Sequence, residues 1–150
     1  MIVFRPRLQE ARAAHGKIQG LATLGSIVPQ THHTPSENRS ATADTWLVAC
    51  LCAEWCDTCR EFRATFDALS ERHANVWFRW IDIEDEADLL EDIEVDTFPT
   101  IVIQRGADVL FLGTTLPNAA IVERQLIVLQ SGRAAVPIDA PDLLARLTPP

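Results

Sequence analysis

Short apolar runs alternate along the chain with longer segments in which apolar residues recur every three to four positions. The apolar runs predict four strands, at Trp46–Cys52, 76–83, 100–104 and 109–112. The periodic segments predict three helices, at Asp57–Arg72, 86–93 and 117–130, the last with Pro117 in its first turn. Strands that alternate with helices indicate an α/β domain, a central mixed β-sheet flanked by helices on both faces.

The chain of 150 residues suits one domain with two flanking segments. Residues 1–43 are predicted to be an N-terminal extension that could form a strand at 1–4 and a helix at 7–24, followed by a polar linker. The main domain is expected at 44–132, and residues 133–150 form a C-terminal tail that could contain a short helix. His32 and His33 lie in the polar linker, where solvated side chains are favoured over metal ligands.

All four cysteines of the chain fall within ten residues, at positions 50, 52, 56 and 59. This clustering indicates thiol chemistry rather than a scattered disulfide framework. Cys56 and Cys59 form a C-x-x-C pair at the junction between the first strand and the first helix. A helix N-terminus carries unpaired N–H groups and a partial positive charge, which stabilise a thiolate. Cys56 is therefore the expected nucleophile, and Cys59 lies one turn further on. Two inert thiols or a metal pair are the alternatives.

Cys50 and Cys52 lie two residues apart in the first strand, so that their side chains share one face of it. The favoured interpretation is two small buried hydrophobic residues, because free cysteine packs as one. The alternative is a third redox-active thiol or a metal site. The spacing C-x-C-x-x-x-C-x-x-C matches neither of the usual paired zinc knuckles, so no metal ligands are assigned.

Pro99 opens the apolar run at 100–104, a position where the missing N–H costs no ladder hydrogen bond, and the Phe98–Pro99 bond is a candidate for the cis isomer. Together with the cysteine pair, this segment makes the chain resemble the thioredoxin family over about residues 44–132. The W-C-x-x-C active site of the family is resembled by residues 53–59: Ala53, Glu54, Trp55, Cys56, Asp57, Thr58 and Cys59. Its cis-proline loop is resembled by residues 97–100: Thr97, Phe98, Pro99 and Thr100.

The resemblance implies a thioredoxin fold and a thiol-disulfide oxidoreductase that acts on protein disulfides without a cofactor. Cys56 would attack a substrate disulfide and Cys59 would resolve the mixed disulfide. An extended substrate segment would pair with the backbone beside the proline, in a groove formed by five residues: Trp55, Asp57, Thr58, Phe98 and Pro99. The expected partners are protein disulfide substrates and an electron donor of the thioredoxin-reductase type.

The chain departs from the family at four positions. Asp57 and Thr58 replace the usual Gly-Pro, and a carboxylate beside Cys56 opposes thiolate formation, although it suits the first turn of a helix. The family's buried acid aligns with Cys50, and the lysine often paired with it aligns with Trp80. Loss of this polar pair predicts slow proton transfer at the second cysteine and makes Cys50 a candidate auxiliary thiol.

The formal net charge is −8, and residues 84–96 carry eight carboxylates and no basic residue. This acidic segment disfavours nucleic acid or anionic lipid as a partner. No apolar run near the N-terminus is long enough for a signal-peptide core or a membrane span, so we expect a cytoplasmic protein without membrane contact. The basic, acid-poor start also resembles an organellar presequence, a lesser alternative.

Two other functions stay open. A binding or chaperone module could keep the fold and use the groove for docking with little redox turnover, and the loss of the buried polar pair argues mildly for it. The presence of both Cys56 and Cys59 argues against it, because docking needs neither thiol. A zinc-binding redox switch could use all four cysteines.

Overall fold

The computed structural model of the chain describes residues 41–133 and 135–148. The described part contains four strands: β1 (Trp46–Cys52), β2 (Val76–Asp82), β3 (Thr100–Arg105) and β4 (Asp108–Thr114). It also contains three α-helices, namely α1 (Asp57–Arg72), α2 (Ala119–Gln130) and α3 (Leu143–Leu147), and one turn of 3-10 helix at Ala87–Leu90. The strand and helix expected at 1–4 and 7–24, and the two histidines at 32 and 33, lie outside the described residues.

The strands form one mixed sheet in the order β2-β1-β3-β4. β1 runs parallel to β2, with Cys50 opposite Trp80, and antiparallel to β3, with Cys50 opposite Ile101. β3 and β4 are antiparallel, with a register shift between Ile103 and Gln104. Because β1 lies between two neighbours and both of its faces are covered, every residue after Trp46 in this strand is buried. The predicted mixed sheet with helices on both faces is confirmed.

Two apolar layers lie on opposite faces of the sheet. Helices α1 and α2 cover one face, and their buried residues pack against alternate residues of β1. This layer contains Val48, Cys50 and Cys52 from β1, Cys59, Phe62, Phe66 and Leu69 from α1, and Val122 and Leu126 from α2. The other face is covered by the 3-10 segment and α3. Its apolar layer contains the remaining β1 residues together with residues from and near those two segments: Leu47, Ala49 and Leu51 from β1, and Leu90, Ile93, Leu143 and Leu144. Cys50 and Cys52 therefore share the helix α1 face, as the strand period predicts.

The C-terminal tail is joined to the sheet by a buried amide. The Nε2 atom of Gln104, which is fully buried in β3, donates to the backbone oxygen of Gly106 at 2.7 Å and to the Asp142 carboxylate. Its Oε1 atom accepts from the N–H of Leu144 at 3.2 Å. Leu143 and Leu144 are buried beside it. These contacts fix the start of α3 against the sheet.

Two predicted helices differ from the structure. The segment 86–93 forms only the 3-10 turn Ala87–Leu90, since a full α-helix would stack like charges such as Asp88 and Asp92 at i,i+4, which is destabilising. Helix α2 begins at Ala119, because the Asn118 side chain caps it by accepting from the Ala120 N–H at 2.9 Å. Pro117 therefore precedes this helix and is not in its first turn.

The helices in the described part of the chain are all too short or too polar to cross a lipid bilayer.

Candidate active site: a cysteine cluster at the start of helix α1

Cys56 is the N-cap of α1, and its Sγ atom accepts a hydrogen bond from the backbone N–H of Cys59 at 3.4 Å. The Cys56 N–H donates to the oxygen of Ala53 at 3.0 Å, which closes the turn between β1 and the helix. Cys56 is half-buried, whereas the other three cysteines are 0 or 1% exposed. Of the four sulfur atoms, the Cys56 sulfur is thus the one that a substrate can reach, in agreement with its predicted position at the helix entrance.

Cys59 is bonded to Cys52 in a disulfide, with Cα atoms 6.1 Å apart, and Cys50 and Cys56 are free thiols. The prediction that the β1 cysteines are inert hydrophobic residues is therefore wrong for Cys52. Cys52 is the last residue of β1 and points to the face that α1 covers, while Cys59 points inward from the first turn of that helix. The sequence-based redox pair, Cys56 and Cys59, is present, but in this state Cys59 is bonded to its other neighbour.

Cys50 is buried and unpaired, as the alignment with the family's buried acid predicts. Its Sγ atom lies 3.7 Å from that of Cys52. Burial raises the pKa of the Cys50 thiol, an effect that the nearby Arg63 guanidinium opposes and the Cys56 sulfur reinforces. The thiol therefore stays protonated at neutral pH. Cys50, the predicted auxiliary thiol, is therefore free, and the disulfide to Cys59 is formed by Cys52 instead.

A positive charge reaches the site from α1 instead of from β2. The guanidinium carbon of Arg63 lies 4.8 Å from the centre of the Trp80 ring, the residue that aligns with the family's lysine. Arg63 and Trp80 line a cleft of about 250 Å³ that also contacts Cys59 and Asp82. Sequence reasoning missed Arg63, although its position four residues after Cys59, on the same face of the helix, was a readable signal.

An aromatic pair includes Trp55, the residue directly before the half-buried Cys56. The rings of Trp55 and Phe98 meet edge to face with centroids 5.5 Å apart, and Trp55 is 62% exposed. The Trp55 Nε1–H donates to the Glu84 carboxylate at 3.2 Å. Phe98 packs against the same apolar layer as Cys56, and the Phe98–Pro99 peptide bond is cis, as predicted. Trp55, Phe98 and Cys56 therefore surround one surface region.

The two residues between the C-x-x-C cysteines are exposed in the first turn of α1. Asp57 forms an ion pair with Arg60, and the Arg60 Nη1 atom also donates to the oxygen of Glu54 at 3.1 Å. The Arg60 cation thus offsets part of the charge that Asp57 adds beside Cys56, although a pair this exposed is weak. Thr58 faces solvent next to them.

Across residues 41–133 and 135–148, no three His, Cys, Asp or Glu side chains are arranged as a group that could hold a metal ion. This range includes all four cysteines.

A mixed sheet flanked by helices, with a C-x-x-C pair at a helix N-terminus and a cis-proline directly before β3, defines a class of thiol proteins. The family model described as thioredoxin matches residues 29–123, and the chain belongs to the thioredoxin family. It is 34% identical to human thioredoxin over 64 residues, 43% of this chain and 61% of that protein. It is 26% identical to putative thioredoxin 2 of Streptomyces coelicolor over 91 residues, 60% of this chain and 63% of that protein.

The fold is also similar to solved structures. Thioredoxin f from spinach chloroplast, in its short form, superimposes with a TM-score of 0.53 at 18% identity, covering 59% of this chain and 79% of that one. This likeness confirms the predicted thioredoxin fold. The matched region spans about six tenths of the length of the two curated relatives named above.

Proposed function

We propose that the protein is a thiol-disulfide oxidoreductase that exchanges protein disulfides through Cys56 and Cys59. The observation that supports this most strongly is the position of the Cys56 sulfur, which caps α1, accepts the Cys59 N–H and is accessible from solvent. A helix N-terminus favours the thiolate, which is the attacking species in disulfide exchange. The thioredoxin-family membership of the chain supports the same conclusion.

The proposed reaction starts from the form in which Cys59 is reduced. The Cys56 thiolate attacks one sulfur of the substrate disulfide, the substrate S–S bond breaks, and the other substrate sulfur leaves as a thiolate. Cys59, one helical turn away, then attacks the Cys56 sulfur as a thiolate. The substrate sulfur that was bonded to Cys56 leaves as a thiolate, and a Cys56–Cys59 disulfide remains. Two electrons have passed from the protein to the substrate, and an external dithiol must return them.

The substrate would lie across the region between the two aromatic residues. Trp55 and Phe98 offer apolar contact beside the Cys56 sulfur, while Asp57 and Thr58 are exposed at its edge. An extended segment of the substrate would pair with the backbone near Pro99 in the manner of an added strand. The acidic residues at 84–96, of which Glu84 contacts Trp55, would favour substrates with basic surfaces.

The electron donor in this proposal is a reductase of the thioredoxin-reductase type, which presupposes a reducing compartment such as the cytoplasm. A docking module of the same fold is less well supported, since it requires neither Cys56 nor Cys59. A zinc switch is less well supported as well, because the sulfur of Cys52 is bonded to that of Cys59 and not free to bind metal in this state.

The test is the reduction of insulin disulfides by the protein with dithiothreitol as electron donor. Cys56→Ser should abolish the acceleration over dithiothreitol alone. Cys59→Ser should accumulate a mixed disulfide with the substrate, visible as an adduct on a non-reducing gel. Cys50→Ser, a change at a buried free cysteine, is the control and should keep the activity. Full activity of Cys56→Ser would show that the proposal is wrong.

A further inference from the structure

Cys59 contacts two other cysteines, Cys56 through its backbone and Cys52 through its sulfur. On the solvent side, the Cys59 backbone N–H is hydrogen-bonded to the Cys56 sulfur at 3.4 Å. On the core side, Cys59 is bonded to Cys52, whose Cα atom is 6.1 Å from its own, within the range that disulfides span. A resolving cysteine that contacts two other cysteines can exchange one disulfide for the other.

We propose that Cys52 is a third redox-active cysteine, which takes over the bond to Cys59 and leaves Cys56 as a free thiol in the oxidised protein. This inference rests on the proposed function and adds a step to it. The oxidised form would then store its disulfide in the core, between two residues that are 0 and 1% exposed, instead of at the surface.

The additional step balances without any further oxidant or reductant. After substrate release the protein contains a Cys56–Cys59 disulfide and a reduced Cys52. The Cys52 thiolate attacks the Cys59 sulfur, the Cys56–Cys59 bond breaks, and Cys56 leaves as a thiolate. The proton that Cys52 loses is balanced by one taken up elsewhere, on Cys56 or in solvent. In sum, the substrate disulfide becomes a dithiol, and the Cys52 and Cys59 dithiol becomes a disulfide.

The direction of this step follows from where the two possible leaving groups lie. The Cys56 sulfur caps the positive end of α1, which favours its negative form and makes it a good leaving group. The Cys52 sulfur is enclosed in the apolar layer between β1 and α1, where a charged sulfur is disfavoured and a neutral disulfide is not. Bond transfer from Cys56 to Cys52 therefore moves the negative charge from the core to the helix N-terminus.

Cys50 provides a matched control for Cys52. It is also fully buried, lies on the same face of β1, and its sulfur is 3.7 Å from that of Cys52, yet it is not bonded. A change at Cys50 alters the packing of the same apolar layer without removing a member of the proposed relay.

The sequence allows the bonds to be read directly. An endopeptidase that cuts after Glu and Asp releases three pieces, since Glu54, Asp57 and Glu61 separate the cysteines: 45–54 with Cys50 and Cys52, 55–57 with Cys56, and 58–61 with Cys59. The reduced protein is mixed with one equivalent of insulin, quenched with acid at intervals, alkylated, cut and analysed by mass spectrometry. Running the same reaction on Cys50→Ala assigns any bond within 45–54 to Cys52.

In the native protein and in Cys50→Ala, we expect early samples to contain peptide 55–57 linked to 58–61, which reports the Cys56–Cys59 disulfide. In later samples this pair should be replaced by 45–54 linked to 58–61, which reports the Cys52–Cys59 disulfide, and Cys56 should then be alkylated. In Cys52→Ala the first link should persist and Cys56 should stay protected. In Cys56→Ser the link between 45–54 and 58–61 should not form on the timescale of the native reaction, because the relay starts at Cys56. A native protein that ends with Cys56 bonded to Cys59 would overturn the relay while leaving the proposed function intact. Formation of the core disulfide at an unchanged rate in Cys56→Ser would overturn both.

Discussion

The sulfur atoms of Cys50 and Cys52 lie 3.7 Å apart on one face of β1, yet only Cys52 is bonded to Cys59. The difference comes from their positions along the strand. Cys52 is the last residue of β1 and lies nearest to the first turn of α1, whereas Cys50 lies two residues deeper in the sheet. Cys50 is therefore enclosed by apolar neighbours, and its burial keeps the thiol neutral by raising its pKa. These two cysteines, similar in sequence context, therefore differ in chemistry.

A carboxylate at position 50 would restore the acid that the thioredoxin family has there. We expect Cys50→Asp to accelerate the step that deprotonates the buried thiols, since a carboxylate accepts a proton more readily than a protonated thiol does. Burying the new charge should lower the free energy of unfolding by about 2 kcal/mol or more. Rapid-mixing measurements of mixed-disulfide resolution and urea unfolding test the two effects.

Cys50→Asn is the matched control for this change, because asparagine has nearly the same shape and no acidic group. It should lose stability without accelerating resolution. A folded Cys50→Asp protein with an unchanged resolution rate would mean that the missing acid does not limit the reaction.

The Arg63 cation over the Trp80 ring is expected to stabilise the junction between α1 and β2. Arg63→Gln should lower the free energy of unfolding by about 0.5 to 1 kcal/mol, the range for a partly exposed cation–π contact. Arg63→Lys should recover part of the loss. Arg60→Gln, which removes an exposed pair with Asp57, should change stability less. Equal losses for Arg60→Gln and Arg63→Gln in urea unfolding would contradict the assignment.

Glu123 on α2 makes stability depend on pH. Its carboxylate accepts from Arg72 at 3.1 Å and contacts the His73 ring at 2.8 Å, and these hydrogen bonds lower the pKa of Glu123 from its ordinary value of 4.5. A depressed carboxyl pKa adds stability above pH 4.5 that is lost as the pH falls through the folded-state value. Glu123→Gln should therefore be less stable than the native protein at pH 6, and the difference should shrink towards pH 3. A constant difference across urea titrations at these pH values would be evidence against the pairing.

Gly106 and Gly132 both have positive φ angles, +52° and +73°, but differ in their surroundings. A Cβ atom at Gly106 would lie 2.6 Å from the backbone oxygen of Ala43, while one at Gly132 would meet no atom within 4 Å. Gly132→Ala should cost about 1 kcal/mol for the left-handed backbone alone. Gly106→Ala should cost clearly more, about 2 to 3 kcal/mol, because the backbone must also shift. Thermal unfolding of the two variants makes the comparison, and similar values would be inconsistent with it.

Trp55 is expected to contribute to substrate binding more than to folding, since it is 62% exposed. Trp55→Ala should raise the KM for insulin several-fold, with a loss of stability of about 0.5 kcal/mol or less. Ile127→Ala removes a similarly exposed apolar side chain from α2 and should leave the KM unchanged. An unaltered KM in Trp55→Ala would remove this residue from the proposed groove.

The elements that carry the site were predictable because local signals and tertiary packing agree there. The bounds of β1 and α1 follow from the apolar run before Cys52 and the helical spacing of Phe62, Phe66 and Leu69. The segment 86–93 was not predictable to the same degree, since charge repulsion shortens a helix that its apolar spacing alone would favour. Its two buried residues, Leu90 and Ile93, nevertheless keep their places in the core.

The partners of the site residues were harder to foresee. A strand period places Cys52 on the face of α1 but cannot show that its sulfur meets Cys59, since that depends on the turn between strand and helix. Likewise, the comparison of Trp80 with a lysine suggests a lost charge, while Arg63 supplies one from another element. Sequence alignment by position misses such a replacement, because it compares residues along the chain and not the space they reach.

The buried Gln104 amide has a consequence for anyone who shortens this chain. The family resemblance ends near residue 132, so a chain cut there would look complete, but both halves of the Gln104 amide group would lose hydrogen-bond partners at Asp142 and Leu144. The β-sheet face under α3 would also be uncovered. A shortened protein should therefore aggregate or bind hydrophobic dyes even with its cysteine cluster intact, and failed redox assays on it would report poor folding instead of absent chemistry.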